Sequence, residues 1–457
     1  MNRKKVAFYT IGCKLNYAET STIARKLSNS NYELVSFKKV ADIYVINTCS
    51  VTENAEKDFK YIVRFFMNKN AKAFIIAIGC YAQVHSKEIS SFPGVDLVLG
   101  REEQFQIIDY LDQVNLFKKN PVIDYLDQVN LFKKNPAKII SKETNSYFSS
   151  YSIGGRTRSF LKIQDGCDYK CSYCIIPIAR GYSRSESIEN ILKNIRFLFQ
   201  KGVKEIVLTG VNIGDYGKKI YGSHKGRSYT FFDLIQAIDQ IKENGRIRLS
   251  SIEPNLLKEE CIEFLSKSRL FMPHFHIPLQ SGSNYILGKM HRRYRRELYQ
   301  EKIQYIRNVI PDAYIGSDII VGFPGETHEH FLETYHFLKK LEISSLHIFP
   351  YSQRPNTKSI TIQEKVSSIV QRKRKIILRV LSKQKYRSFC ERQIHTKKTV
   401  LFENNFVNHG YLYGYTENYI RTKINSNPLF INTVQDVLLT KVDQNGVMIA
   451  KSLRSDE

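Results

Sequence analysis

Residues 159–181 read SFLKIQDGCDYKCSYCIIPIARG. The alternating apolar residues of the first six positions predict a β-strand. Gly166 ends it, and Cys167, Cys171 and Cys174 follow within eight positions, with no histidine nearby. Five more strand patterns come after it: EIVLTG (205–210), IRLSSIE (247–253), HFHIPLQ (274–280), IGSDIIVG (315–322) and SLHIFPY (345–351). Helical stretches such as ENILKNIRFLFQKG and RELYQEKIQYIRNVI separate them. Six βα units predict a parallel barrel or partial barrel. The unusual residues gather at the carboxyl ends of these strands: the cysteine triplet, TGVNIG, EP, QSGS, GFPGET and YSQRP. Barrels carry their active sites on that face.

The stretch before residue 116 has the same alternation in a different layout. KVAFYTIGC (5–13), DIYVINTC (42–49), AKAFIIAIGC (71–80) and DLVLG (96–100) are short apolar runs. Helical patterns from about Asn16 to Leu27 and from about Thr52 to Met67 separate the first three. This predicts an open parallel α/β sheet. Cys13, Cys49 and Cys80, 36 and 31 residues apart, each close a strand. In an open parallel sheet the carboxyl ends share one edge, where ligands bind. Three cysteines at that edge predict a ligand site; the alternative is three buried structural cysteines.

Between these regions lies a tandem duplication. IDYLDQVNLFKKNP occupies 108–121 and again 123–136. Two copies cannot make a solenoid; each copy fits a short helix, followed by a polar, glycine-containing connection. Beyond residue 397 the pattern becomes TVLFENN, GYLYGYTENYIRTKI, DVLLTKV and GVMIAKS, short alternating strands that predict a small β-barrel. Such barrels bind nucleic acid through a sheet face, and Tyr411, Tyr413, Tyr415 and Tyr419 are candidates to stack on bases. Ordinary strand tyrosines are the alternative.

Composition narrows the partners. The 457 residues hold 69 Lys and Arg against 44 Asp and Glu, a formal charge of +25. Between Lys365 and Lys398 there are twelve basic residues and one acid, Glu391. Dense basic runs predict a polyanionic partner, because neutralising phosphates releases counterions; a solvated basic helix face is the blander reading. No apolar run approaches the ~18 residues of a membrane span, and the N-terminus lacks a signal-peptide pattern, so a cytoplasmic protein without a membrane partner is expected. Eight cysteines are too few for a disulfide scaffold at this length, and clustered cysteines in a reducing compartment bind metal or do redox chemistry.

The triplet offers three thiolates where structural zinc takes four ligands. A cubane iron–sulfur cluster also normally takes four cysteines. Cys261 and Cys390 lie in plain helical contexts. Three cysteines on a cubane leave one iron open, and an open coordination site is what a substrate or cofactor needs.

CDYKCSYC resembles the cluster motif of the radical S-adenosylmethionine (SAM) enzymes, and the six-unit barrel fits their fold. The resemblance narrows to the methylthiotransferases: IGCKLN, INTCSVT, AIGCYAQ, DGCDYKCSYCIIPIARG, LTGVNIG, PLQSGSNYILGKMHRRY and DIIVGFPGET stand in that family's order. It covers the chain apart from the duplication. TIGCKLNYAET and GYTENYIRTKI look most like the branch acting on N6-threonylcarbamoyladenosine in tRNA. The isopentenyladenosine branch and the branch acting on a ribosomal protein aspartate are the alternatives.

The resemblance implies two [4Fe-4S] clusters and SAM. Cys167, Cys171 and Cys174 would hold the cluster that generates the radical, Cys13, Cys49 and Cys80 the auxiliary cluster. A 5′-deoxyadenosyl radical would take hydrogen from adenine carbon 2, with sulfur supplied from or through the auxiliary cluster and a methyl group from a second SAM. It further implies tRNA as partner, a reducing donor of flavodoxin or ferredoxin type and a sulfur donor. The expected architecture is an α/β chain: an open parallel α/β domain (1–116), a linker with the duplication (117–152), a partial (β/α)6 radical SAM barrel (153–384) and a small all-β TRAM, or OB-like, RNA-binding barrel (385–457). Asn212, Glu253, Gln280 and Gly322 are the expected cofactor contacts at strand ends, with loop capping and a tight turn as alternatives. Arg180 would meet a carboxylate or make an internal ion pair. Arg292 and Tyr294 match the family pattern without an assigned role. Outside the family, an iron–sulfur electron carrier and a zinc-stabilised RNA-binding protein compete.

Overall fold

A computed structural model describes residues 3–50, 53–117, 137–141, 144–154, 157–219, 229–408 and 410–453. The second copy of the duplication lies outside the described residues; the start of the first copy lies in the helix Ile107–Phe117. The chain forms two compact units. One is Met1–Ser152 with Asp165–Tyr169 and Cys174–Ser185, and the other is Ile153–Gln164 with Lys170–Tyr173 and Glu186–Glu457.

The first unit is a six-stranded parallel sheet of β1 (Lys4–Thr10), β2 (Tyr32–Val35), β3 (Ile43–Thr48), β4 (Phe74–Gly79), β5 (Leu97–Leu99) and β6 (Ala137–Ile139). Its order is β2-β1-β3-β4-β5-β6. The central strand β3 is buried at every position, which is why it reads as an unbroken apolar run. One core joins Tyr44, Phe59, Phe66 and Tyr81, with the Tyr44 and Phe66 rings stacked at 4.0 Å. A second joins Ile23 and Leu27 of the helix Lys14–Ser28 to Val45, Ile76 and Leu99. Strands β2 and β6 escaped the sequence reading because both are short edges; β2, YELV, buries only Tyr32 fully.

In the second unit the six expected strands form at Arg158–Lys162, Glu205–Thr209, Arg246–Leu249, His274–His276, Tyr314–Val321 and Ser345–Pro350. The first three and the last three make separate parallel sheets. Single parallel bridges, Ile247 with Phe271 and Ser251 with His276, join them. No ladder joins the first strand to the sixth among the described residues, so this is a partial barrel with an open side. The crossover helices bury one stripe each; Ile188–Gln200, capped by Ser187, turns Ile191, Ile195 and Leu198 inward.

The helix Ser368–Glu391 packs along the sixth strand, where Ser382 Oγ takes the Leu346 N–H at 2.9 Å. A closed five-stranded barrel follows, with strands Lys397–Asn408, Tyr411–Thr416, Arg421–Asn425, Val434–Val442 and Met448–Ser452 around Val400, Phe402, Leu412, Ile424 and Leu439. GYLYGYTENYIRTKI makes two of these strands, separated by a turn in which Tyr419 has φ 65°. Arg158 lies over the Tyr415 ring at 4.7 Å, and Arg248 over Tyr419 at 4.8 Å. These two tyrosines therefore pack the small barrel against the partial barrel, which corrects their assignment as base-stacking residues. No described helix is long and apolar enough to cross a membrane.

Candidate functional site: two sets of three cysteines

In the first unit, β1, β3 and β4 each run out into a cysteine. Gly12, with φ 120°, turns β1 directly against Cys49: a Cβ there would stand 2.9 Å from Cys49 Cβ and 3.3 Å from its Sγ. Glycine is required by both the angle and the space. Asn16 then ties the strand ends together. Its Nδ2 donates to Ile11 O at 3.1 Å and to Thr48 O at 2.9 Å, and its Oδ1 accepts from Cys13 Sγ at 3.6 Å. Thr48 Oγ donates to Ile78 O at 2.6 Å and accepts from the Ala82 N–H at 3.1 Å, fixing the turn around Cys80. Cys13 is exposed, Cys49 half-buried and Cys80 buried, so the alternative of three buried structural cysteines does not describe them. Burial pushes the Cys80 thiol up, while the Arg180 and Arg101 guanidinium groups pull the other way.

Those two arginines belong to a buried ionic network. Arg180 donates to Asp165 Oδ1 at 2.8 Å and to Asn16 Oδ1 at 2.7 Å, and lies 3.3 Å from Glu19 Oε1. Arg101 grips both Glu19 oxygens, at 2.5 and 2.7 Å, and reaches Asp165 Oδ2 at 3.2 Å. All four side chains are at most 2 % exposed. Of the two partners expected for Arg180, the fold uses the internal ion pair.

The three-cysteine loop is pinned at several points. Within the first unit Gly166 has φ 70°, and a Cβ would fall 1.9 Å from Tyr182 O. The Cys167 N–H donates to Gly181 O at 3.0 Å, and the Tyr169 N–H to Cys167 Sγ at 3.4 Å. Within the second unit Ser172 donates its N–H to Met290 O and its hydroxyl to Lys289 O, and its carbonyl accepts from the Ser359 N–H. Arg292, unassigned by the sequence, donates Nη1 to Cys171 Sγ and to Tyr173 Oη, both at 3.3 Å. Its other nitrogens pair with Glu253 and with Tyr294 Oη. Burial raises the Cys171 thiol, and Arg292 opposes that rise.

This donor set fits an iron–sulfur cluster. None of the six cysteines is in a disulfide, and N–H and guanidinium donors already aim at Cys167 and Cys171 sulfur, as thiolates on an anionic cluster need. A zinc site would want a fourth ligand, yet Cys261 and Cys390 are buried in the helices Glu259–Lys267 and Ser368–Glu391.

The four expected cofactor contacts lie at strand ends of the partial barrel. Asn212 donates to Asp215 and accepts the Glu253 N–H at 3.4 Å. Burial raises the Glu253 carboxyl against the pull of Arg292. Gln280, at φ 70°, stitches its backbone to Asp318 and Ile320. Gly322, at φ 73°, donates to Glu326 Oε2 at 2.5 Å and abuts Gln371. The structure adds a group the sequence reading missed. His276 Nε2 lies 2.9 Å from Asp318 Oδ2, and His347 Nδ1 lies 3.3 Å from Asp318 Oδ1. The sequence signal is a histidine or aspartate in each of strands four, five and six, and His276, Asp318 and His347 become a cluster only once the strand register is known.

Residues 161–338 match the family model of the radical SAM superfamily, and residues 5–100 match that of the uncharacterized protein family UPF0004. The chain is 36 % identical over 446 residues to the threonylcarbamoyladenosine tRNA methylthiotransferase MtaB of Bacillus subtilis, covering 95 % of this chain and 94 % of the relative. It is 36 % identical to the protein of that name from Aquifex aeolicus, covering 92 % and 96 %. A tRNA-2-methylthio-N(6)-dimethylallyladenosine synthase from Syntrophus aciditrophicus is 32 % identical, covering 84 % and 80 %. Among solved structures, the radical SAM methyltransferase TsrM from Kitasatospora setae, with cobalamin and a [4Fe-4S] cluster bound, superposes with TM-score 0.52 at 12 % identity, covering 79 % of this chain and 77 % of that one. At that identity the match speaks for the fold alone.

Proposed function

The chain belongs to the threonylcarbamoyladenosine tRNA methylthiotransferases, and on that footing we propose that it replaces the hydrogen on carbon 2 of N6-threonylcarbamoyladenosine, beside the tRNA anticodon, with a methylthio group. The observation that carries this reading is near-complete, 36 % identical coverage by relatives of that name in a chain that presents both cysteine sets.

When bound, two [4Fe-4S] clusters and SAM supply the reducing electron, the hydrogen-atom abstraction, the sulfur and the methyl group. Cys167, Cys171 and Cys174 hold one cluster, and Cys13, Cys49 and Cys80 the other. Arg292 orients Cys171 and fixes Glu253 beside it. Asn212, Glu253, Gln280 and Gly322 line the cofactor's side of the barrel. The adenosine lies in a single-stranded loop, so its base can be splayed out at small cost. Residues 385–457 act as the TRAM module that holds the RNA, helped by the basic helix before it. A flavodoxin- or ferredoxin-like carrier brings electrons and a separate donor brings sulfur, in the cytoplasm where tRNA is modified.

Nucleoside mass spectrometry of tRNA from a strain lacking the protein tests the reading. Loss of 2-methylthio-N6-threonylcarbamoyladenosine supports it. Loss of the isopentenyl analogue instead, or of neither, rejects it. An electron carrier with saturated clusters would keep its spectrum when SAM is added, and a zinc protein would hold zinc without acid-labile sulfide.

A further inference from the structure

Three neighbouring strands of the partial barrel bring two imidazoles and one carboxylate together, away from every cysteine contact described above. His276 ends the fourth strand, Asp318 lies in the fifth and His347 in the sixth. Asp318 and His347 face each other in strand register, and Gly316, two residues before Asp318, pairs with His276. Asp318 is central, with one oxygen toward each ring.

The strand period places this triad. Ile315, Ser317, Ile319 and Val321 of the fifth strand are buried, whereas Asp318 and Ile320 are only half-buried and share the other face. Ile320 packs in one cluster with Tyr173, which sits between Cys171 and Cys174. Asp318 is two residues earlier on the same face, roughly 7 Å along the strand. Glu253, the partner of Arg292, feels the Asp318 charge as well. Asp318 thus shares the strand face that Ile320 turns toward Tyr173 of the three-cysteine loop. His347 is the triad's outermost member: its side chain is 50 % exposed against 16 % for His276, and it stands on the sixth strand, beside the open side of the barrel.

We propose that His276, Asp318 and His347 bind the carboxylate-bearing side chain on N6 of the substrate adenosine and so select it over an adenosine whose N6 group is apolar. The proposal rests on the functional reading above, since a threonylcarbamoyl group carries a carboxylate, a hydroxyl and a ureido linkage. Asp318 takes the inner nitrogen of each ring, which fixes both ring orientations. That leaves the outer nitrogens, His276 Nδ1 and His347 Nε2, as hydrogen-bonding groups for the polar atoms of the N6 side chain, its hydroxyl and ureido N–H among them. An apolar N6 group would offer those nitrogens no partner, and a site built for hydrogen bonds rejects such an analogue strongly. The same three side chains bring one ligand atom each to within 4.8 Å of one another, so metal binding is an outcome that the test has to separate.

The test uses the reconstituted full-length enzyme and two anticodon stem-loops, one carrying threonylcarbamoyladenosine and one isopentenyladenosine, with binding followed by fluorescence anisotropy. The wild type should prefer the first by about tenfold or more, the effect of buried polar groups that only one of the two RNAs can pair. His347→Leu and His276→Leu should shrink that ratio to within about twofold, while His347→Gln, which keeps an N–H donor, should retain part of it. A wild type that prefers the first RNA while both leucine variants keep the full ratio overturns the inference and leaves the function standing. A wild type without preference overturns the functional reading and the inference together. Metal analysis of the same samples supplies the last arm: one non-iron divalent ion per chain, lost in His276→Leu, would make the triad a metal centre and overturn its assignment to the N6 side chain.

Discussion

Arg180 donates to Asp165 at 2.8 Å, and neither side chain is more than 2 % exposed. Asp165 lies two residues before Cys167, and Arg180 ends the short helix six residues after Cys174. The pair therefore clasps the base of the three-cysteine loop. Arg180 also donates to Asn16, the residue that hydrogen-bonds Cys13 and the end of the strand leading to Cys49. One guanidinium thus links the loop's base to the scaffold of the other three cysteines, within a single compact unit.

Removing that guanidinium leaves Asp165 and Glu19 buried with only part of their countercharge. Arg180→Ala should cost about 3–5 kcal/mol, the usual penalty for breaking a buried ion pair on one side. Chemical denaturation of the cluster-free protein measures it. Adding Asp165→Asn removes one of the orphaned charges and should recover a substantial part of the loss. A loss under about 1 kcal/mol for Arg180→Ala would show that the network contributes little.

The two cysteine sets should separate functionally. Cys167→Ala should abolish SAM cleavage. Cys49→Ala should keep some cleavage yet form no methylthio product, because the sulfur-supplying site is the one damaged. Each variant should hold about half of the wild-type iron and sulfide if each set holds its own cluster. Iron and sulfide analysis beside product mass spectrometry checks this, and full iron in Cys49→Ala would refute a cluster at the N-terminal set.

The two remaining cysteines should be chemically silent. Burial pushes the Cys261 thiol from its ordinary 9.0 up to about 11, and the Cys390 thiol to about 12. At pH 8 the Cys261 thiolate fraction is then about a hundredfold below that of an ordinary cysteine. In cluster-free protein both should resist iodoacetamide until denaturant is added, while Cys13 reacts freely. The sign for stability follows. From pH 9 to 11 the unfolded chain loses a proton at Cys261 that the folded chain keeps, so this thiol lowers stability as pH rises through that window. Fast native labelling of Cys261 at pH 8 would contradict the buried placement.

Much of this was legible before the structure because strong periodicity and single-residue chemistry are local. The six barrel strands, the β1, β3, β4 and β5 runs and both cysteine sets follow from short apolar runs and from the residues that close them. Strands β2 and β6 were not legible, since edge strands are half-polar and short. Neither were the partners of Arg180 or Arg292, nor the His276–Asp318–His347 triad. Those depend on strand register and on contacts between residues from 15 to 164 positions apart, which no local pattern encodes.

The tyrosines of the small barrel show the same limit, and they give the last prediction. Tyr411, Tyr413 and Tyr415 alternate with buried Leu412, Gly414 and Thr416, so all three point outward. Their surroundings differ. Tyr415 stacks on Tyr419 at 4.8 Å under Arg158, and the Arg158 guanidinium also reaches Tyr419 Oη at 3.2 Å. Tyr419 further meets His274 and Tyr314 of the partial barrel. Tyr413 and Tyr411 instead lie beside Arg421 and Lys423, at 5.2 and 4.9 Å from the ring centres. An aromatic face with an adjacent cation is a platform for a stacked base beside its phosphate. Tyr413→Ala should therefore weaken tRNA binding by about 1–3 kcal/mol with little change in thermal stability. Arg421→Gln should weaken it and flatten its salt dependence. Tyr419→Ala should do the reverse in kind, costing about 3 kcal/mol or more of stability by emptying the joint between the two barrels. Filter binding across a salt series, run beside thermal denaturation, separates the two classes. Equal stability losses for Tyr413→Ala and Tyr419→Ala would mean that the outward tyrosines are structural as well.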